Sequence, residues 1–114
     1  MYNYNDLILF QKIYDLILWL HPILNRFPKN QKFILAQKIE NCSLEILEKV
    51  VKINSAKTKS TFLMENLNID VDRLRILVRL AKDLRFINIK TYGTFCEKVT
   101  EIGKILGGWK KTAS

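Results

Sequence analysis

The residues best suited to chemistry lie between Asp72 and Lys90, in the run DRLRILVRLAKDLRFINIK. It holds Arg73, Arg75, Arg79, Lys82, Arg85 and Lys90 against Asp72 and Asp83. On a helical wheel Arg75, Arg79 and Lys82 fall within an arc of about 60°, with Phe86 between them in angle and Arg85 at the flank. Leu77, Leu80 and Leu84 cluster on the opposite side and are expected to face a core. Guanidinium groups at one-turn intervals along a rigid rod can meet successive phosphates, bidentately where geometry permits. Phe86 would offer a stacking face to an unpaired base. The plain alternative is a solvated face whose arginines pair with Asp72, Asp83 or acids of neighbouring helices. Elsewhere the chain uses lysine, as at Lys29, Lys32, Lys49, Lys52, Lys57 and Lys59, so the arginine-rich run favours nucleic-acid binding.

Catalytic groups are sparse. The single histidine, His21, precedes Pro22 near a helix end and reads as a partly exposed turn residue. No Gly-rich phosphate loop, HExxH or ExxH motif is present. Glu45 and Glu48 are three apart, and with Lys49 and Lys52 beside them they read as surface ion pairs. Cys42 and Cys96 lie in apolar helical patterns, and a zinc site needs about four N or S ligands. They read as small buried hydrophobes. No enzyme, cofactor or metal is expected.

The elements that would position the basic stripe are helices, at about 5–25, 31–54, 62–86 and 89–106. The first repeats Leu9, Ile13, Leu16 and Leu20 along one side, with Leu7, Phe10, Tyr14, Ile17 and Leu24 further round. This covers more than the arc of about 100° that one core asks of a surface helix. Ile8, Leu18 and Trp19 fall outside even that arc. Together with Trp109 they are expected to form an oligomer or partner interface, since exposed aromatics are favoured anchors there; the alternative for each Trp is a lid folded over the bundle. Pro22 is expected to kink the last turn. In the second helix Ile34, Leu35, Ile39, Cys42, Ile46, Val50 and Ile53 make the apolar face. The polar stretch NSAKTKS, 54–60, reads as a loop, and Asn88 as an N-cap. Gly107 and Gly108 are expected to end the fourth helix. Four rods joined by short loops give an all-α, up-down-up-down four-helix bundle, a single domain over 1–114.

Composition sets the bounds. A chain of 114 residues that is 48% hydrophobic and 26% charged, with four Gly and two Pro, can fold around one core. Its net charge of +8 points to polyanions, nucleic acid before acidic membranes. The apolar stretch Leu7–Leu20 is short for a membrane span and is interrupted by Gln11, Lys12 and Asp15. No membrane role is expected. With Met1 leading directly into the first helix and no signal-peptide pattern, a reducing cytoplasm is the expected location.

Three stretches carry a family resemblance: LILFQKIYDLILWLHPILNRFPKNQKF from Leu7 to Phe33, LRILVRLAKDLRFI from Leu74 to Ile87, and EIGKILGGWKK from Glu101 to Lys111. In this order they resemble the accessory variability determinant (Avd) proteins of diversity-generating retroelements, over nearly the whole chain, with GGW after EIG the most specific part. More loosely the chain is similar to the four-helix-bundle proteins encoded by intervening sequences of bacterial 23S ribosomal RNA genes. The first resemblance implies a four-helix protomer assembling into a homopentameric barrel. It also implies that the barrel binds nucleic acid, RNA and/or DNA, and an error-prone reverse transcriptase, supporting mutagenic copying of a template repeat. The second implies a stand-alone, RNA-associated or structural bundle without a polymerase. Neither resemblance assigns a role to the loop around Lys57 and Lys59.

Overall fold

Apolar residues recurring every three or four positions, with few helix breakers, leave these segments one way to hide their greasy sides: as helices laid against one another. The computed structural model describes residues 4–55 and 61–113, with side chains described over 7–55 and 61–108. Helix α1 spans Tyr4–Asn25. A helical turn, Lys29–Gln31, and a π-helical turn, Lys32–Ala36, lead directly into α2, Gln37–Ser55. Helix α3 spans Thr61–Asp83 and α4 spans Ile89–Ala113.

The four helices form the expected all-α bundle, 43 Å long and 23 × 20 Å across. Helix α1 packs on α2 and α4, and α3 packs on the same two, so α1 and α3 stand on opposite diagonals. One cluster of buried residues runs the length of the bundle. It includes Leu9, Ile13 and Leu16 of α1, Ile39, Ile46 and Val50 of α2, Leu67, Leu74 and Val78 of α3, and Phe95, Val99 and Ile102 of α4.

Helix α1 continues three residues past Pro22. By length and composition the stretch Leu7–Asn25 would suffice to cross a membrane, and it runs further than the apolar segment marked in the sequence. Its face of Leu9, Ile13, Leu16, Leu20 and Leu24 is buried in the bundle, while Leu7, Tyr14 and Leu18 on the other side are exposed.

The helix ends differ from expectation in two places. Helix α3 stops at Asp83, three residues early, because Arg85 adopts a positive φ of 66°. The Arg85 N–H donates to the Lys82 carbonyl and the Phe86 N–H to the Ala81 carbonyl, both at 2.9 Å. Those are the two bonds of a Schellman cap, with arginine where glycine is usual. At the other end of the chain, Gly107 and Gly108 do not terminate α4, which runs on to Ala113. No glycine has a positive φ among the described residues, so neither supplies a left-handed cap. Asn88 does cap α4, its Oδ1 accepting from the Thr91 N–H at 2.7 Å.

The core register of α3 also differs. Leu80 and Leu84 were expected inside, but they are 44% and 50% exposed. Met64, Leu67, Val71, Leu74, Val78 and Ala81 fill the core instead. These residues form the arc facing α2 and α4, and burying them turns Leu80 and Leu84 outward. Ile34, also expected inside, is exposed beside the buried pair Leu35 and Ala36.

Candidate nucleic-acid interface

The expected stripe on α3 is only partly available. Arg75 leans across to α4: its Nη1 donates to Asp72 Oδ1 at 3.1 Å and its Nη2 to the Val99 carbonyl at 3.4 Å. It lies over Gly103, where an added Cβ would stand 3.0 Å from Nη2. Lys82 is held by Asp83 at 3.0 Å and lies 4.9 Å above the Tyr92 ring. That ring's hydroxyl is pushed above the usual tyrosine pKa, first by its hydrogen bond with Cys96 and then by desolvation. Arg79 makes one long contact, 3.9 Å to Asp83, and remains open to solvent. Arg85 is exposed on the cap itself. The alternative of intramolecular pairing therefore describes Arg75 well, Lys82 in part, and Arg79 and Arg85 least.

Phe86 is not a free stacking face. It is partly buried, and its ring meets that of Phe27, 5.5 Å away and tilted by 49°. The Schellman cap brings this about, because it returns residue 86 toward Ala81 and the core. A helical wheel continued past Asp83 had placed Phe86 among the arginines.

Arg73 belongs to a different set of contacts. The carboxylate of Asp70 is buried between α2 and α3, where it accepts hydrogen bonds from Lys49 Nζ and, at 3.1 Å, from Arg73 Nη1. Arg73 also reaches Glu45 at 3.5 Å, and the hydrogen bond to Asp70 raises its guanidinium pKa. Glu45 and Lys49 thus find partners on α3 rather than on their own helix. Sequence reasoning missed Asp70, since a lone acid between Ile69 and Val71 gives no pattern. Cys42 lies below, buried, with its thiol 3.4 Å from the Asp70 carbonyl; burial pushes its pKa up. His21 is exposed on the last turn of α1, its Nδ1 3.1 Å from Glu40 Oε1.

Contact between Phe27 and Phe86 fixes where the cations gather. It joins the α1–α2 connection to the α3–α4 connection at one end of the bundle. Residues 21–40 and 79–90 make up that end. They contain Arg26, Lys29, Lys32, Lys38, Arg79, Lys82, Arg85 and Lys90, with only Glu40 and Asp83 opposing. Six of the eight net positive charges therefore lie here. A wide, open concavity of about 780 Å³ runs beside the α3–α4 connection, lined by Lys82, Arg85 and Lys90 against one acid, Asp83, with Phe86 and Ile89 among its apolar walls. Such an end can hold polyphosphate through several cations at once.

The expected interface residues separate. Leu18 is 59% exposed, and with Leu7 and Tyr14 it forms an outward stripe on α1. Ile8 is partly buried. Trp19 packs against the core beside Ile23 and Phe95, with Lys98 Nζ 5.4 Å above its ring, and so acts as a lid. The Trp109 side chain lies outside the described residues, as do Lys57 and Lys59. A second outward stripe, unread in the sequence, occupies α3: Phe62, Ile69, Ile76, Leu80 and Leu84 are all exposed. They fall within about 80° at 100° per residue, nearly opposite that helix's core arc.

Compared with known proteins, the chain matches a family model described as bAvd-like over residues 7–113. No curated protein matches it.

Proposed function

The chain belongs to the bAvd-like family, and from that premise we propose that it is a non-catalytic, nucleic-acid-binding accessory subunit working in the cytoplasm beside a reverse transcriptase. The observation that carries this reading is the basic end of the bundle, where six of eight net charges gather around an open concavity. Phosphate contacts carry little base information, so binding is largely independent of sequence. On the α3–α4 side Arg85, Lys90 and Arg79 are the cations freest to make them, with Lys82 behind, and Lys29 and Lys32 are exposed on the α1–α2 side. Arg75 supports the α3–α4 packing and Phe86 the corner.

The two outward stripes support self-association. They stand on diagonally opposite helices, so a two-fold contact that covers one leaves the other bare. A head-to-tail contact, α1 stripe of one copy on α3 stripe of the next, covers both and closes a ring when the rotation allows. The resemblance to the Avd proteins gives that ring five copies. Repeated basic ends on one ring raise apparent affinity without new contacts per copy. The polymerase docks on a surface separate from the basic end, and the complex supports mutagenic copying of a template repeat.

An anisotropy titration of a labelled RNA–DNA hybrid over a range of salt concentrations tests the reading. Affinity should fall steeply with salt, by about 0.9 in log–log slope for each duplex phosphate contact. A slope near zero, or no binding at low salt, would remove nucleic acid from the proposal. Co-purification with a candidate reverse transcriptase tests the polymerase partner.

A further inference from the structure

The basic end, too, leaves large apolar side chains uncovered, and the two most exposed among the described residues are there. Phe33 is 84% exposed and Ile89 81%, and Ile34 is exposed with them. Single exposed apolar residues are ordinary on a protein surface. Their gathering at the most basic end is not explained by the fold, since the core is complete without them.

Phe33 has a particular placement. It lies in the π-helical turn Lys32–Ala36, at the start of the rod that becomes α2. Side chains on a helix tilt toward its N-terminus, so the exposed Phe33 side chain leans back over the Lys29–Gln31 turn, toward the end of the bundle. Lys32 precedes it, and Lys29 lies one turn back. The Phe27–Phe86 contact keeps the Arg85 corner at the same end. Short π-helical turns are often found at functional sites.

Resting on the nucleic-acid reading above, we infer that Phe33 is a base-stacking residue, and that the basic end takes unpaired strands in preference to duplex. An aromatic face among cations suits a strand whose bases are free: lysines follow the phosphates while the ring stacks on a base of any identity. In duplex the bases are already stacked on one another, and the ring has nothing to receive. The cations bind both forms, so Phe33 sets the difference between them. A protein segment docking on the same apolar residues is the competing occupant.

The test uses the full chain with two labelled probes of equal phosphate number, single-stranded oligouridylate and a blunt RNA duplex. Phe33→Ala should weaken the single strand by about 5- to 100-fold, the range for losing one stacked base, and change duplex affinity less than twofold. Phe33→Trp should restore or improve single-strand binding. Helix content measured by circular dichroism should be unchanged in both variants, since the ring is outside the core. Equal affinity of Phe33→Ala and the parent chain for the single strand would overturn the inference while leaving the basic end intact. So would an equal loss on both probes. A Phe33→Ala variant that keeps single-strand binding but loses the polymerase would assign the residue to the protein partner instead. Failure of the parent chain to bind either probe would sink the nucleic-acid reading itself, a different result.

Discussion

The ring of Phe86 rests against that of Phe27, 5.5 Å between centroids, and this one contact ties the two connections at the basic end of the bundle together. It needs Arg85 in the left-handed conformation, because only that turn returns the next residue to the core. A residue other than glycine or asparagine holds this conformation at a cost of about 1 kcal/mol. The chain accepts that cost at a position where a guanidinium faces the concavity.

Arg85→Gly should therefore stabilise the fold by about 1 kcal/mol and weaken polyanion binding. Urea denaturation and an anisotropy titration of the same variant check the two signs. A loss of stability would mean that the arginine side chain supports the corner.

Gly103 poses the opposite question. Glycine inside a helix costs about 1 kcal/mol against alanine, and an added Cβ would come within 3.0 Å of Arg75 Nη2. The obstruction is the far end of a flexible side chain, so it moves cheaply. Gly103→Ala should raise stability by about 0.5–1 kcal/mol, read from the denaturation midpoint.

The buried carboxylate of Asp70 predicts an asymmetry. Asp70→Ala removes the partner of both Lys49 and Arg73, whereas Arg73→Ala leaves Asp70 still paired with Lys49. Charge-assisted bonds contribute about 1.5–3 kcal/mol each, and both cations can turn to solvent. Asp70→Ala should cost roughly 2–3 kcal/mol and Arg73→Ala about 1 kcal/mol or less. Equal costs in thermal or urea unfolding would argue against a shared carboxylate.

These contacts show what could be read from residue spacing. Four helices, the core of α1 and the Asn88 cap follow from periodicity and capping chemistry, which act within a few residues. The core register of α3 does not, because apolar residues cover about two-thirds of that helix's circumference, more than one core can bury. Which arc is buried depends on where α2 and α4 pass, so Leu80 and Leu84 were misplaced. Phe86 was misplaced by continuing a wheel through a cap that no glycine announced. Basic character was legible as a charge count. Its concentration at one end needed the fold, since residues 21–40 and 79–90 are far apart in the chain.

The outward stripes predict how copies associate. Leu18→Asp on α1 and Ile76→Asp on α3 change exposed residues, 59% and 67% accessible, and should leave the fold intact. Each alone should yield monomer by light scattering. Mixed, they should form a one-to-one dimer, because each still carries the face the other lacks. A mixture that stays monomeric would exclude the head-to-tail arrangement.

The location of the charge is the central claim, and paired variants of equal net charge test it. Lys32→Gln with Arg85→Gln removes two cations from the basic end, while Lys52→Gln with Lys104→Gln removes two from elsewhere on α2 and α4. Measured by anisotropy on one RNA probe at fixed salt, the first pair should lose at least tenfold more affinity than the second and show a shallower salt slope. Equal losses for the two pairs would mean that only net charge matters, and that the end of the bundle is not the binding site.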